Sequence, residues 1–304
     1  MTKPKHCLSL LDLDASTIQQ CLQLAQQIKA NPEAYVHSLE GKSIALLFEK
    51  PSLRTRVSFE VGIHQLGGHA VYLDANMVGP GQRESVQDIA ANLACWTHAI
   101  VARVFQHDTL QQLSTAGISV VNALCDIHHP CQTLADLLTL QEVFGEDLSV
   151  LKVAYLGDGN NVCQSLMLGA AALNMPLQVV TPKTYGPSKQ IMQTLDETFK
   201  NHQVTLLNDP AQLGPVDALY TDTWISMGEQ DSAEKKQYLQ PFQLNQQLLE
   251  ASGATAVMHC LPAHRGDEIT DELMDGEHSV ILRQAENRMH AQKALLHYLF
   301  NGFV

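Results

Sequence analysis

Between Phe48 and Glu60 the chain reads FEKPSLRTRVSFE, which sets Arg54 and Arg56 beside the hydroxyls of Ser52 and Thr55, directly after the apolar run from Ile44 to Phe48. A strand that gives way to a helix here would point the helix's unpaired amide N–H groups outward. Pro51 suits a helix start and Ser52 can cap it. Two hydroxyls, a row of amides and the Arg54 guanidinium then form a cradle for phosphate oxygens. The plainer alternative makes Arg56 an ion-pair partner and Ser52 a cap alone.

Other residues able to do chemistry are scattered along the chain. Arg103 closes the apolar stretch IVAR, His129 precedes Pro130 in DIHHP, and Gln132 follows where a helix containing Leu134, Leu137 and Leu138 would begin. Taken singly, Arg103 can be a strand-end surface residue, His129 a loop cap and Cys260 a small buried side chain. GDGNN, Gly157 to Asn161, is a glycine-rich turn that lacks GxGxxG, so a nicotinamide-dependent oxidoreductase has little support. Several histidines and thiols occur, but neither HExxH nor a CxxC pair does, and no metal is assigned.

The elements that must position these groups follow from the apolar pattern. A chain of 304 residues with 45% hydrophobic content can fill two cores. With 19 Lys and Arg against 32 Asp and Glu, the formal charge of −13 argues against nucleic-acid and anionic-membrane binding. No apolar run spans a membrane and the polar start MTKPKHCLSL lacks the long apolar run of a secretory signal, so a cytoplasmic protein with reduced, mostly buried thiols is expected. Ile18, Leu22, Ala25 and Ile28 share a helical face, with Ser16 or Thr17 as the expected cap. Strands are expected at SIALLF, HAVYL, AIVARVF and ISVVNA, then at LKVAYLG, LQVVT, VTLLN, ALYTDTW, AVMHCL and SVILRQ. Helical windows lie between them, including Val86 to Leu93, Val162 to Ala172 and Leu239 to Leu249. Such alternation predicts α/β domains on mostly parallel sheets. NRMHAQKALLHYLF predicts an amphipathic helix at the end.

Six segments in order, FEKPSLRTRVSFE, HHPCQTLADLL, GDGNNVCQSLM, DTWISMG, HCLPAHRG and AENRMHAQKALL, resemble the aspartate/ornithine carbamoyltransferase family, most closely on its ornithine side. The resemblance covers nearly the whole chain. It implies two α/β domains, each with a mostly parallel sheet flanked by helices, and a C-terminal helix packing back on the first domain. It places carbamoyl phosphate on 1–145, completed by 285–304, and ornithine on 146–284. It implies carbamoyl transfer to the δ-amine of L-ornithine, giving citrulline and phosphate without a cofactor, in a homotrimer or multiple of trimers. Carried over residue by residue, Ser52, Leu53, Arg54, Thr55, Arg103, His129, Gln132, Cys260, Leu261 and Arg288 serve carbamoyl phosphate. Arg54, Arg103, His129, Gln132, Cys260 and Arg288 are the catalytic set, and Asn161, Asp222, Ser226 and Met227 bind ornithine.

Two departures bear on that expectation. Leu53 stands where the ornithine enzymes usually have threonine, a feature shared with transcarbamylases for acylated ornithine, which is the nearest alternative substrate. DTWISMG and HCLPAHRG favour unmodified ornithine. The loop DANMVGPGQRESVQD is longer than usual, and Met77 occupies the place where the family often has a glutamine that reaches a neighbouring site; Gln82 is a candidate replacement. A noncatalytic sensor on the same scaffold would gain little from Arg54, Arg103, His129, Asp222 and Cys260.

Overall fold

The computed structural model describes residues 5–74, 83–226 and 232–303, so Met77, Gln82 and Met227 lie outside the described residues. The chain divides into two units, Met1–Leu138 with Asn287–Val304, and Thr139–Glu286.

The first unit is built on four parallel strands, β1 (Ser43–Phe48), β2 (His69–Asp74), β3 (Ala99–Arg103) and β4 (Ser119–Leu124), in the order β2-β1-β3-β4. β1 and β3 are central and almost wholly buried, which is why they read as unbroken apolar runs. Helices Ala15–Ala30, Leu53–Gln65, Val86–Trp96, His107–Leu113 and Pro130–Phe144 accompany the sheet, the last running on into the second unit. Ile89, Ala90 and Leu93 of the third pack with Ala45, Ile100 and Val120 from the strands. The cap of the first helix is Asp14, whose carboxylate accepts the Thr17 N–H at 2.7 Å, and not Ser16 or Thr17.

Five parallel strands form the second unit, β5 (Val153–Leu156), β6 (Leu177–Val180), β7 (Val204–Leu207), β8 (Ala218–Thr221) and β9 (Ala256–His259), ordered β7-β6-β5-β8-β9. Its described helices include Asn161–Ala172, Lys189–Thr198, Ala233–Leu239 and Gln246–Ser252. The single helix expected over Leu239 to Leu249 is instead two. Pro241 tightens the chain into a 3-10 turn, Gln240–Phe242, and Asn245 caps a fresh helix by accepting the Leu248 N–H.

SVILRQ is not a strand. Val280 donates its N–H to the Val257 carbonyl at 3.0 Å, but Ile281 opens a helix that continues to Asn301. The first turns of this helix belong to the second unit and Asn287 onward to the first, where the helix packs back on the sheet's helices. Lys29 Nζ donates to Asn287 Oδ1, Lys293 Nζ to Gln65 Oε1, and His297 Nδ1 meets Ser38 Oγ, each at 2.9 Å. Among the described residues no helix is long and apolar enough to cross a membrane.

Candidate active site

In open parallel sheets, the strand order reverses beside the first strand, and the space beyond the carboxyl ends there collects ligands. In the first unit the reversal lies between β1 and β3. Ser52 follows β1 and caps the helix Leu53–Gln65, its Oγ accepting the Thr55 N–H at 3.2 Å. Pro51 therefore precedes the cap, and Leu53 takes the first helical position with its side chain 74% exposed, leaving only its amide for a ligand. Arg54 is half-buried and, among the described residues, its guanidinium makes no ion pair or hydrogen bond. Arg56, by contrast, is committed: it pairs with Glu60 at 2.9 Å and stacks 3.7 Å over the Tyr72 ring.

Arg103 ends β3, where the register with β4 slips between Ala102 and Arg103, and its side chain is buried. Burial of a guanidinium at a strand end requires an anionic or polar surrounding, which excludes the surface alternative. His129 immediately precedes the helix Pro130–Phe144, whose first turn holds Gln132. Burial, then the positive charges of Arg288 and Arg103, hold the His129 imidazole well below its ordinary pKa, so it stays neutral. Arg288 donates to Gln132 Oε1 and, at 3.2 Å, to Thr55 Oγ1. Gln132 Nε2 in turn donates to Asp136 Oδ1 at 2.7 Å. Arg288 thus ties Thr55 to Gln132, and Gln132 is held in turn by the fully buried Asp136. Sequence reasoning missed Asp136, although its spacing four residues after Gln132 puts both on one helix face.

The second unit reverses between β5 and β8. Gly157 leaves β5 with φ +123, a conformation open to glycine, and Asn160 caps the helix Asn161–Ala172, its Oδ1 accepting the N–H groups of Val162 and Cys163. Asn160 Nδ2 reaches across to donate to Asp222 Oδ2 at 2.7 Å. Asn161, the residue singled out from the sequence, is the first helical residue. Asn160 was overlooked because two adjacent asparagines are equivalent until the cap is placed. Asp222 follows β8; its Oδ1 accepts from the Thr223 N–H at 2.7 Å and from Cys260 Sγ at 2.8 Å. Ser226, half-buried, closes the described part of that segment.

Cys260 and Leu261 follow β9 in a turn held from behind. Leu261 has φ +59, costly for a branched side chain. Its N–H donates to His259 Nδ1 at 2.8 Å, so His259 carries its proton on Nε2, which faces Glu268 Oε1 at 3.0 Å. Gln284 Oε1 accepts the His259 N–H at 2.9 Å. Asp222, His259 and Cys260 bring potential metal-ligating atoms within 4.8 Å of one another, but both His259 nitrogens are already engaged. All seven cysteines are free thiols.

Two α/β units, each with charged and polar residues gathered at the reversal point of its parallel sheet, define a protein of the doubly wound class. Residues 5–142 match the family model for the carbamoyl-P binding domain of aspartate/ornithine carbamoyltransferase, and 149–299 match its Asp/Orn binding domain. The chain belongs to the aspartate/ornithine carbamoyltransferase family. It is 50% identical over 301 residues to an ornithine carbamoyltransferase of Shewanella oneidensis, covering 98% of this chain and 100% of the relative. Among solved structures, it resembles the ornithine carbamoyltransferase from Pyrococcus furiosus with a TM-score of 0.93 at 39% identity, covering 99% of this chain and 98% of that one. The enzyme of that name from Thermus thermophilus gives 0.87 at 43% identity, covering 99% and 100%.

Proposed function

We propose that the chain transfers the carbamoyl group of carbamoyl phosphate to the δ-amine of L-ornithine, giving L-citrulline and phosphate. The observation that carries this reading is the likeness, along the whole chain, to proteins named ornithine carbamoyltransferase. In the carbamoyl phosphate domain, expected over 1–145 and completed by 285–304, Ser52, the Leu53 amide, Arg54 and Thr55 hold the phosphate. Arg103, His129, Gln132 and Arg288 serve the carbamoyl end. A neutral His129 offers one N–H to the carbonyl oxygen, and the guanidinium charges stabilise it as it becomes an oxyanion.

The ornithine domain, expected over 146–284, takes the amino acid, with Asp222 opposite the α-ammonium and Asn161, Ser226 and Met227 completing its head-group site. Cys260, hydrogen-bonded to Asp222, orients the δ-amine beside Leu261 and forms no covalent intermediate. The neutral δ-amine attacks the carbonyl carbon, a C–N bond forms, and collapse of the tetrahedral centre breaks the C–O bond to phosphate. The amine's surplus proton leaves with the phosphate, so the step requires neither metal nor nicotinamide. The active form is a homotrimer or multiple of trimers in the cytoplasm.

Purified protein given carbamoyl phosphate with L-ornithine, N-acetylornithine, putrescine or aspartate separately should form product rapidly with ornithine alone. Faster turnover of N-acetylornithine would transfer the assignment to the acylated substrate that Leu53 brings to mind.

A further inference from the structure

The amino-acid unit carries two carboxylates beyond the ends of neighbouring strands, and they are treated differently. Leu156 and Thr221 are register partners on β5 and β8, so Asp158 and Asp222 each lie just past a paired strand end. Asn160 links the two segments by its 2.7 Å bond to Asp222, while the Tyr155 hydroxyl donates to the Asp158 carbonyl at 3.1 Å. Both carboxylates act on the same interior groups: burial first, then Asp222 and Asp158 among nearby charges, push the Tyr155 phenol and the Cys163 thiol upward.

Asp158 is compensated. Its Oδ2 accepts from Lys235 Nζ at 2.8 Å, with the side chains only 10% and 11% exposed. Lys235 is itself placed by the helix Ala233–Leu239, where Ser232 caps its backbone N–H, and its ammonium lies 5.5 Å from the Tyr185 ring centre. Among the described residues Asp222 receives neutral donors alone, an amide, a backbone N–H and a thiol, and no lysine or arginine pairs with it. A buried carboxylate without a cation is costly, and a ligand cation relieves that cost.

We propose that Lys235 is a specificity-determining residue: by pairing with Asp158, it leaves Asp222 as the carboxylate that takes the substrate's cation, so the half-site accepts an amino acid with one positive charge and disfavours dications. The inference rests on the transfer to ornithine proposed above. Ornithine in water carries a second ammonium at its δ-nitrogen, which has no lone pair and cannot attack the carbonyl carbon. With Lys235 removed, Asp158 offers a second anchor, and the δ-ammonium can be held in unproductive poses.

The test uses the full-length protein and three variants, with putrescine as a dication lacking a carboxylate and L-norvaline as a head group lacking a δ-nitrogen. In Lys235→Met the inhibition constant of putrescine should fall about tenfold or more, while that of norvaline stays within about threefold. Lys235→Arg, which restores the cation, should behave as wild type. The double variant Lys235→Met with Asp158→Asn removes both charges and should also return to wild-type putrescine inhibition, which separates charge balance from loss of a structural tether. Putrescine inhibition unchanged in Lys235→Met, or both inhibitors weakened together there or in the double variant, overturns the inference while leaving the reaction in place. A wild type that forms no citrulline overturns the proposed function and this inference with it.

Discussion

The two reversal points use one backbone device for opposite charges. Beyond β1 and β3 the first unit gathers Arg54, Arg103 and Arg288 around hydroxyls, amides and a neutral histidine. Beyond β5, β8 and β9 the second gathers Asp158, Asp222 and Cys260 around an asparagine cap. Strand ends and helix starts are alike in both, so the difference in charge between them comes from the side chains and not from the fold. The cationic site is held mainly within helices, with Asp136 orienting Gln132 and Gln132 receiving Arg288. The anionic site is held across strand ends by Asn160 and by the turn that His259 and Glu268 brace.

The contrast can be broken most severely on the cationic side. Arg54→Ala should lower kcat/KM for carbamoyl phosphate at least a hundredfold, about 3 kcal/mol, with an unchanged circular-dichroism spectrum. Wild-type kinetics in that variant would return Arg54 to the surface.

A second asymmetry is acid sensitivity of the first unit. Burial, then His107, depress His128 to about 4 from an ordinary 6.5, and His129 is lowered as well. The unfolded chain therefore binds protons before the folded one. Stability is fully present above about pH 6.5 and is lost as pH falls toward 4, His128 alone accounting for about 3 kcal/mol. Urea unfolding at pH 7 and pH 4 measures this, and His128→Phe should flatten the slope; an equal slope in the variant would remove His128 as a source.

The smallest effect is expected at Leu53. Its amide already occupies the first helical position, so Leu53→Thr should change the KM for carbamoyl phosphate by less than about threefold, roughly 0.6 kcal/mol. A tenfold gain in steady-state assays would show that the missing hydroxyl matters more than the amide.

Much of this organisation was legible in the sequence where local rules decide it. Buried parallel strands read as short apolar runs, and Ser52 announced its cap by type and position. The rule failed at SVILRQ because a brief apolar run has the same appearance whether it extends a sheet edge or opens a helix. It failed again over Leu239 to Leu249, where Pro241 outweighed the apolar period. Residues that act through others were the least legible: Lys235 meets Asp158 across 77 positions, and only the fold brings them together. The family resemblance supplied Asp222 and Cys260 as site residues, whereas their 2.8 Å contact came from the structure.

Asp222 is the sharpest point at which to test the proposed division between a cationic group in the first unit and an anionic group in the second. Calorimetry should titrate carbamoyl phosphate first and then L-norvaline into wild type and Asp222→Asn, a swap that keeps size and removes charge. The account predicts a loss of norvaline affinity of roughly tenfold, about 1.4 kcal/mol, with carbamoyl phosphate binding changed much less. Unchanged norvaline affinity together with collapsed carbamoyl phosphate binding would contradict it.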